Sequence, residues 1–489
     1  MEATKTNYAL TQRFCRLGRA HTKVIATIGP ATENRLDELI QAGMDVARLN
    51  FSHGTPEDHR RRTTDIREAA LRCNTPVAIL ADIRGPKMRL GTMPGGWKEL
   101  EVGERMRLVE GDAVDTEDEI PFNVSGFSKA LKNGDRVFLA DGAVEMIVEE
   151  ISGASHMARV RRGGRIGDRK GFHLPDADLK LKVPTDVDIV DLALAHEIGV
   201  DFVGVSFVST AAELHEVRRL VPDAQIVAKI ERAAALENLD EILEATDGIM
   251  VARGDLGVEV ELEQLPMVQK SLLAASLKAG KFTITATEML ESMVDNSRPT
   301  RAEVADVANA VLDGTDCVML SAETAVGKNA LEAVETMDRI AGAVEASQRY
   351  LELPRVAFRS AEPTTSNAVA LAAADAAKSL GISKIVCFTE SGNTPRQLSR
   401  YRTSAEIIAL SPHVTTLRRM TVLAHVRPIK FPQEDSLEAM LDGACRLLLE
   451  RQIVARGENV IFVAGVPPGV ARSTNLMKLH RIGDPIRLA

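Results

Sequence analysis

Glu231 and Asp255 each follow a short apolar run, Ile226-Val227-Ala228-Lys229-Ile230 and Gly248-Ile249-Met250-Val251-Ala252, and Lys229 stands two positions before the first carboxylate. Two hard oxygen donors at the ends of neighbouring strands suit Mg²⁺, which keeps positions open for water and substrate oxygens. An ammonium beside such a metal would add a fixed positive charge or carry a proton. Groups of the same kind end other apolar runs. Arg48, Asn50 and Ser52 alternate and so share one face of an extended segment, where a guanidinium can grip a phosphate or carboxylate at two points. Arg84, Lys87 and Arg89 cluster around the Gly85-Pro86 turn after Asp82, a pattern suited to an anionic substrate. Thr287 brings a hydroxyl after Phe282–Thr285, and Ser321-Ala322-Glu323-Thr324 follows the last run. Polar or charged groups thus converge from at least six strand ends, which core packing and solubility do not explain.

The elements that must hold these groups repeat as strand, loop and amphipathic helix. The apolar runs predict strands at Lys23–Thr27, Asp45–Asn50, Val77–Asp82, Phe202–Ser206, Gln225–Ile230, Gly248–Ala252, Phe282–Thr285 and Cys317–Leu320. Helical patterns fall between them, among them Arg35–Ala42, Ala233–Ala245, Leu265–Ala279 and Arg301–Asp313. Eight such units predict an α/β fold, a (β/α)₈ barrel whose chemistry lies at the C-terminal strand ends. An open doubly wound sheet rarely uses so many consecutive units.

Residues 91–183 break the rhythm with turns such as Gly95-Gly96 and Asn133-Gly134, and predict a small β-rich domain inserted in a barrel loop. Such an insertion on the catalytic face can close as a lid. Strand patterns resume near Lys384–Phe388, Glu406–Leu410, His425–Lys430 and Asn459–Val463. The expected organisation is an N-terminal arm (1–20), a discontinuous barrel (21–90 and 184–350), the inserted domain (91–183) and a C-terminal α/β domain (351–489).

Composition narrows the class. A chain of 489 residues exceeds one ordinary core. Aromatics are only 3%, so Val, Ile, Leu, Ala and Met must build the interior, which suits buried parallel strands. The net charge of -9 argues against a nucleic-acid or membrane-surface binder; Arg60-Arg61-Arg62 and Arg161–Arg165 read as solvated faces. Cys15, Cys73, Cys317, Cys387 and Cys445 show no metal spacing and read as small buried hydrophobes in a reducing compartment. No run approaches transmembrane length, and the expected location is cytoplasmic.

The segments Arg48–Gly54, Gly85–Arg89, Lys229-Ile230-Glu231, Met250–Gly257, Thr285–Met293, Arg298–Leu320 and Gly465–Arg481 closely resemble the motifs of the pyruvate kinase family. The match runs in order from about residue 22 to the C-terminus, and the stretch Arg301–Thr324 is too long for a short-motif coincidence. The resemblance implies Mg²⁺-dependent phosphoryl transfer from phosphoenolpyruvate to ADP, giving pyruvate and ATP, with Mn²⁺ as a substitute metal. It implies that Glu231 and Asp255 hold the metal, that Lys229 stabilises the transferring phosphoryl group and the developing enolate, and that Arg48 binds the phosphoryl group. Backbone N–H groups at Gly254-Asp255 would cradle the substrate carboxylate, with Ser206 in the substrate set. Thr287 takes the position of a proton-relay hydroxyl, while Arg89, His53 and Asn50 fall on the nucleotide side, where a second Mg²⁺ would travel with the phosphates. A homotetramer is implied as well.

The chain departs from the family pattern in places. Lys87 stands where K⁺-requiring members carry glutamate, and Ile83 and Leu90 where they tend to have threonine, while Asn50, Ser52 and Asp82 match K⁺ ligands. An ammonium there can supply the charge of the ion, so the chain is expected to work without K⁺. Val187 replaces a nucleotide-contacting lysine, and Glu288 a glutamine. Thr389-Glu390-Ser391-Gly392-Asn393-Thr394 resembles the phosphate loop of a sugar-phosphate activator site, a place for a sugar-phosphate or nucleotide effector. Its hydroxyls (Thr389, Ser391, Thr394) and the N–H groups around Gly392 and Asn393 can form an anion nest, which Glu390 opposes. Two other readings stand beside this one: a different Mg²⁺- and enolate-using barrel enzyme, such as an aldolase or lyase, and a non-catalytic, ligand-sensing or scaffold paralogue of the same fold.

Overall fold

The computed structural model describes residues 19–140, 142–152, 155–177, 179, 181–352, 364–467 and 474–486. Eight parallel strands close into a barrel: Lys23–Thr27, Met44–Asn50, Ala78–Asp82, Phe202–Val205, Gln225–Ile230, Gly248–Ala252, Phe282–Ala286 and Cys317–Leu320, with the first paired to the last. Most of their residues are fully buried, because helices cover the outside and side chains such as Ile25, Leu80, Phe202, Met250 and Ile284 fill the inside. The predicted strands hold to within about a residue at either end.

One helix differs from expectation. The pattern Ala233–Ala245 forms two helices, Ala233–Glu237 and Leu239–Ala245, broken at Asn238, whose side chain donates to the Ser209 carbonyl at 2.9 Å. The apolar period runs through that break, so periodicity alone could not reveal it. Helix starts are marked by capping boxes, Thr55 with Asp58, Thr185 with Asp188 and Thr300 with Glu303.

The barrel floor has a four-fold device. Asp45, Asp201, Asp247 and Asp316, at the starts of the even-numbered strands, accept the backbone N–H groups of Val24, Ile79, Ile226 and Thr283 on the preceding strands, at 3.0, 2.9, 2.8 and 3.0 Å. The C-terminal domain docks on this ring of acids through arginines: Arg418 meets Asp201 at 2.7 Å and Arg402 meets Asp316 at 3.0 Å, while Arg396 donates to the Asp247 carbonyl at 3.0 Å. That docking leaves the opposite, C-terminal face of the barrel free for chemistry.

The insertion is β-rich. A six-stranded sheet (Phe172–His173, Arg136–Leu139, Val144–Ser152, Ser155–Arg162, Arg105–Glu110, Glu119–Phe122) packs around Phe122, Phe127 and Phe172, and a two-stranded ribbon pairs Trp97–Leu100 with Gly164–Gly167. The C-terminal sheet has the order Val426–Lys430, Glu406–Ser411, Lys384–Phe388, Asn459–Gly465, Thr474–Arg481. Its last strand is antiparallel and lies outside the strands expected, because its half-exposed edge residues lack an apolar run. The arm is described only from Arg19; Ala20 donates its N–H to Asp338 at 3.1 Å.

The basic runs lie on exposed faces, as read from the sequence, and make surface pairs there. Arg60, Arg61 and Arg62 pair with Glu197 and Glu33, and Arg165 stacks on Trp97 with 4.1 Å to the ring centre. Cys73 is only half-buried, unlike Cys317, Cys387 and Cys445; Cys15 lies outside the described residues. No helix among the described residues is long and apolar enough to cross a membrane.

Candidate active site

At the C-terminal ends of the strands lies a cavity of ≈ 130 Å³, lined by Arg48, Asn50, Ser52, Asp82, Lys87, Ser206, Lys229, Glu231, Asp255, Thr287 and Ser321, among others. Side chains from seven of the eight strand ends therefore meet in one space, and Thr27 of the remaining strand touches Arg48 at 2.9 Å.

At its base is a buried charge network. Lys229 Nζ lies 2.9 Å from Glu231 Oε1, 3.1 Å from Asp82 Oδ1 and 2.7 Å from Ser206 Oγ. The Ser206 hydroxyl in turn donates to the Ile83 carbonyl at 2.7 Å. Arg48 grips Asp82 Oδ2 through Nε at 2.8 Å and Nη2 at 2.7 Å. Glu231 Oε2 accepts the Phe207 N–H at 2.7 Å. Burial works against the charges of Lys229, Asp82 and Glu231, and their partners oppose it to different extents. For Lys229 burial opposes the ammonium, but the Asp82 and Glu231 carboxylates outweigh it and raise its pKa. For Asp82 burial is again opposed, by Lys229 and Arg48, and its carboxyl is held below the usual range. Glu231 moves up instead: burial dominates, and the nearby Asp255 charge adds to it against the pull of Lys229.

Asp82, matched to a monovalent-ion ligand, pairs with Arg48 through Oδ2 and lies 3.1 Å from Lys229 through Oδ1, an oxygen that is buried and makes no hydrogen bond. The signal in the sequence was a single charge closing the wholly apolar run Ala78–Ala81. Glu323 also differs from its expectation as a group at the opening. It is buried and accepts the N–H groups of Leu290 at 3.2 Å and Ser321 at 2.6 Å, so it shapes loops.

Thr287 caps the seventh strand in an unusual backbone. Thr287 and Glu288 have φ of 66° and 54°, the left-handed region that costs an L-residue on the order of 1–2 kcal/mol. The Thr287 hydroxyl donates to the Ala286 carbonyl at 2.7 Å and accepts the Gly254 N–H at 2.8 Å. Gly254 and Asp255 open the helix Arg253–Glu259, whose first-turn N–H groups are natural anion donors. Gly85, at φ 66°, lets the third loop press on Ser206, since a Cβ there would lie 2.7 Å from that side chain.

Lys87 lines the cavity and makes no ion pair among the described residues. Asn50 Oδ1 accepts the Ser52 N–H at 3.1 Å. Arg89 and His53 are exposed and stand outside the cavity lining; Arg89 donates to the Arg169 carbonyl at 2.9 Å, at the root of the inserted domain. Val187 is 51% exposed and Glu288 is exposed.

The inserted domain reaches the rim beside Asp255. Arg136 pairs with Glu261 at 2.5 Å, and the His173 ring lies 3.8 Å from both Asp255 Oδ1 and Glu259 Oε1. His173 was not anticipated, because nothing in its local run separates it from a core histidine.

The loop Thr389–Thr394 is far along the chain, in the C-terminal domain. Gly392 donates its N–H to Thr389 Oγ1 at 2.9 Å, Thr394 bonds Thr474 at 2.6 Å, and Glu390 pairs with His413 at 2.7 Å. Much of the loop's polar capacity is thus turned inward; Ser391 is exposed and Asn393 half-buried.

Comparison with known proteins agrees with this geometry. The family description "Pyruvate kinase, barrel domain" matches residues 19–334, and "Pyruvate kinase, alpha/beta domain" matches residues 367–480. A pyruvate kinase of Staphylococcus saprophyticus is 40% identical over 474 residues, covering 95% of this chain and 81% of the relative. One from Staphylococcus aureus is 40% identical over 473 residues, with the same coverage of 95% and 81%. The crystal structure of a pyruvate kinase from Cryptosporidium parvum superposes with a TM-score of 0.89 at 35% identity, covering 95% of this chain and 96% of that one.

Proposed function

The chain belongs to the pyruvate kinase family, and on that premise we propose how its own residues perform phosphoryl transfer from phosphoenolpyruvate to ADP, giving pyruvate and ATP. One observation carries the reading: Arg48, Lys229, Glu231, Asp255 and Thr287 line a single cavity at the C-terminal mouth of the barrel.

Glu231 and Asp255 would hold Mg²⁺ or Mn²⁺, which when bound supplies neutralisation of the anionic substrate oxygens. The donor chemistry fits. Both ligands are hard carboxylate oxygens lining one cavity, the donor type that Mg²⁺ prefers.

Arg48 binds the phosphoryl group of phosphoenolpyruvate and the N–H groups of Gly254-Asp255 take its carboxylate, that of Gly254 exchanging its bond to the Thr287 hydroxyl for the substrate, with Ser206 orienting Lys229. The Lys229 ammonium, locked between Asp82 and Glu231, stays charged and faces the negative charge that develops on the transferring group and on the enolate. Thr287 then serves the protonation of the enolate carbon that becomes the methyl group of pyruvate. Arg89, His53 and Asn50 would meet the nucleotide, with Arg89 brought in from the root of the inserted domain and His53 standing on the barrel loop after the second strand.

The reaction runs without K⁺ in this reading. Lys87 lines the cavity with no carboxylate of its own, so its charge is available to the substrate; Asn50, Ser52 and Asp82 remain as the vestige of an ion site. The exposed, half-buried remainder of the Thr389–Thr394 loop is where a sugar-phosphate or nucleotide effector would bind, after opening the Glu390–His413 pair. We place the enzyme in the cytoplasm as a homotetramer.

The test is pyruvate formation from phosphoenolpyruvate and ADP with Mg²⁺, in Na⁺ and in K⁺. Turnover in Na⁺ within a few-fold of that in K⁺ is expected. A gain of about tenfold or more in K⁺ refutes the role of Lys87, a change of that size marking the loss of roughly 1.4 kcal/mol at the transition state. A protein that binds substrate yet shows no turnover refutes the catalytic assignments.

A further inference from the structure

Arg253 follows the sixth strand, yet its side chain does not line the cavity. It runs behind the site, with the residue only 9% exposed, and spends its donors on the end of the seventh strand. Nε donates to the Ala286 carbonyl at 3.2 Å and Nη2 to the Thr287 carbonyl at 2.6 Å. Nη1 faces both oxygens of Asp306, at 2.7 and 2.6 Å. Asp306 belongs to the helix Arg301–Leu312, outside the barrel wall.

Thr287 and Glu288 need such support. Two successive non-glycine residues in the left-handed region relax unless surrounding bonds over-determine them, and one of the two is β-branched. The hydroxyl of Thr287 is held only from its own surroundings, by the Ala286 carbonyl and the Gly254 N–H. The Arg253 fork grips the two carbonyls on either side of the Thr287 N–Cα–C unit and ties them to a separate helix. A guanidinium can do this because its donors are planar and fixed in direction; a lysine offers one point charge and cannot span two carbonyls and a carboxylate. The helix is itself anchored to the same loop, since Glu303 accepts the Ser292 N–H at 2.7 Å and its hydroxyl at 2.5 Å.

We infer that Arg253, braced by Asp306, is a positioning residue that aims the Thr287 hydroxyl at the substrate carbon, so that the helix Arg301–Leu312 sets the efficiency of the proton step. This rests on the reading of Thr287 as the group serving that proton. Arg253 touches no substrate and acts through Thr287. Loss of the brace therefore lets the strained turn relax and lowers the fraction of enzyme with a productive hydroxyl, without weakening substrate binding at Arg48 or the metal at Glu231.

The test uses Asp306→Asn, Arg253→Lys and Thr287→Ala in the full chain, with two readouts. One is exchange of the pyruvate methyl protons with deuterated solvent in the presence of ATP and Mg²⁺, followed by NMR; the other is the kcat and KM of the forward reaction. Asp306→Asn and Arg253→Lys are expected to slow methyl exchange about tenfold or more, as misplacement of a reacting group does, while KM for phosphoenolpyruvate stays within about twofold. In the Thr287→Ala background, adding Asp306→Asn should leave the residual turnover unchanged, because the brace has nothing left to aim. Wild-type exchange in both brace variants overturns the inference, as does a further loss of residual turnover in the double variant. Should Arg253→Lys fail to fold, Asp306→Asn decides alone, since its carboxylate lies at the surface end of the brace. Wild-type exchange in Thr287→Ala instead refutes the proton reading itself, and the two failures are thereby told apart.

Discussion

Replacing Asp82 by asparagine removes a charge from the centre of the site while keeping its shape, and its cost can be worked from the contacts. The side chain is 2% exposed and holds Arg48 at 2.7 Å and Lys229 at 3.1 Å. Breaking one partner out of a buried ion network costs about 3–5 kcal/mol. The amide oxygen can still accept from Arg48, which returns about 1 kcal/mol. A net destabilisation of about 2–4 kcal/mol at neutral pH follows. Lys229 keeps Glu231 and Ser206 but loses a carboxylate, and Arg48 loses its anchor. Turnover should fall about tenfold to a hundredfold, and KM for phosphoenolpyruvate should rise. The acid limb supplies an independent check. Lys229 and Arg48 hold the folded-state pKa of Asp82 below its unfolded value, so its contribution is complete above about pH 4 and disappears as pH falls through the folded value. Urea unfolding of both proteins from pH 8 downward should show a steady gap above about pH 5 that closes in acid. Equal stability at pH 7, or a gap that widens in acid, would refute the account of Asp82 as the shared counter-ion.

Lys229→Met should lower kcat by about two to three orders of magnitude with little change in substrate affinity, as loss of a transition-state contact does; steady-state kinetics with an unchanged kcat would discredit its role. His59, stacked on Phe51 at 4.2 Å, has its pKa pushed down to about 4 by burial, with Arg62 adding to it. Protons then prefer the unfolded chain, so stability is complete above about pH 6.5 and falls as pH drops toward 4, by at most about 1.4 kcal/mol per unit. His59→Gln should flatten that slope in unfolding measurements, and an unchanged slope counts against it. At the effector loop, Glu390→Gln frees His413 and removes the opposing charge, so titration with sugar phosphates or AMP should shift phosphoenolpyruvate kinetics at lower concentration than in the parent protein; a flat response in both would end the effector proposal.

The order of strands and helices was legible because most barrel strands are largely apolar runs and several covering helices, such as Arg301–Leu312, carry an apolar stripe. Runs such as Gly248–Ala252 leave little choice, since a segment buried on both faces must be apolar throughout. The carboxylates Glu231 and Asp255 were legible for the same reason, as charges that end such runs at the face where a barrel keeps its chemistry. The break at Asn238 and the edge strand Thr474–Arg481 were not, because neither changes the local pattern enough to be seen. Partnership was invisible as well. Nothing in the chain near Asp82 names Arg48, 34 positions away, or Lys229 as its counter-ions. Nothing near Arg253 points to Thr287 or Asp306, 34 and 53 positions on. Local patterning is a property of neighbours in the chain and specifies which face each group ends on. Which charges share a buried network, and which backbone is held in strain, depends on the tertiary fold, because only packing of the strands and their covering helices brings groups far apart in the chain within hydrogen-bond reach.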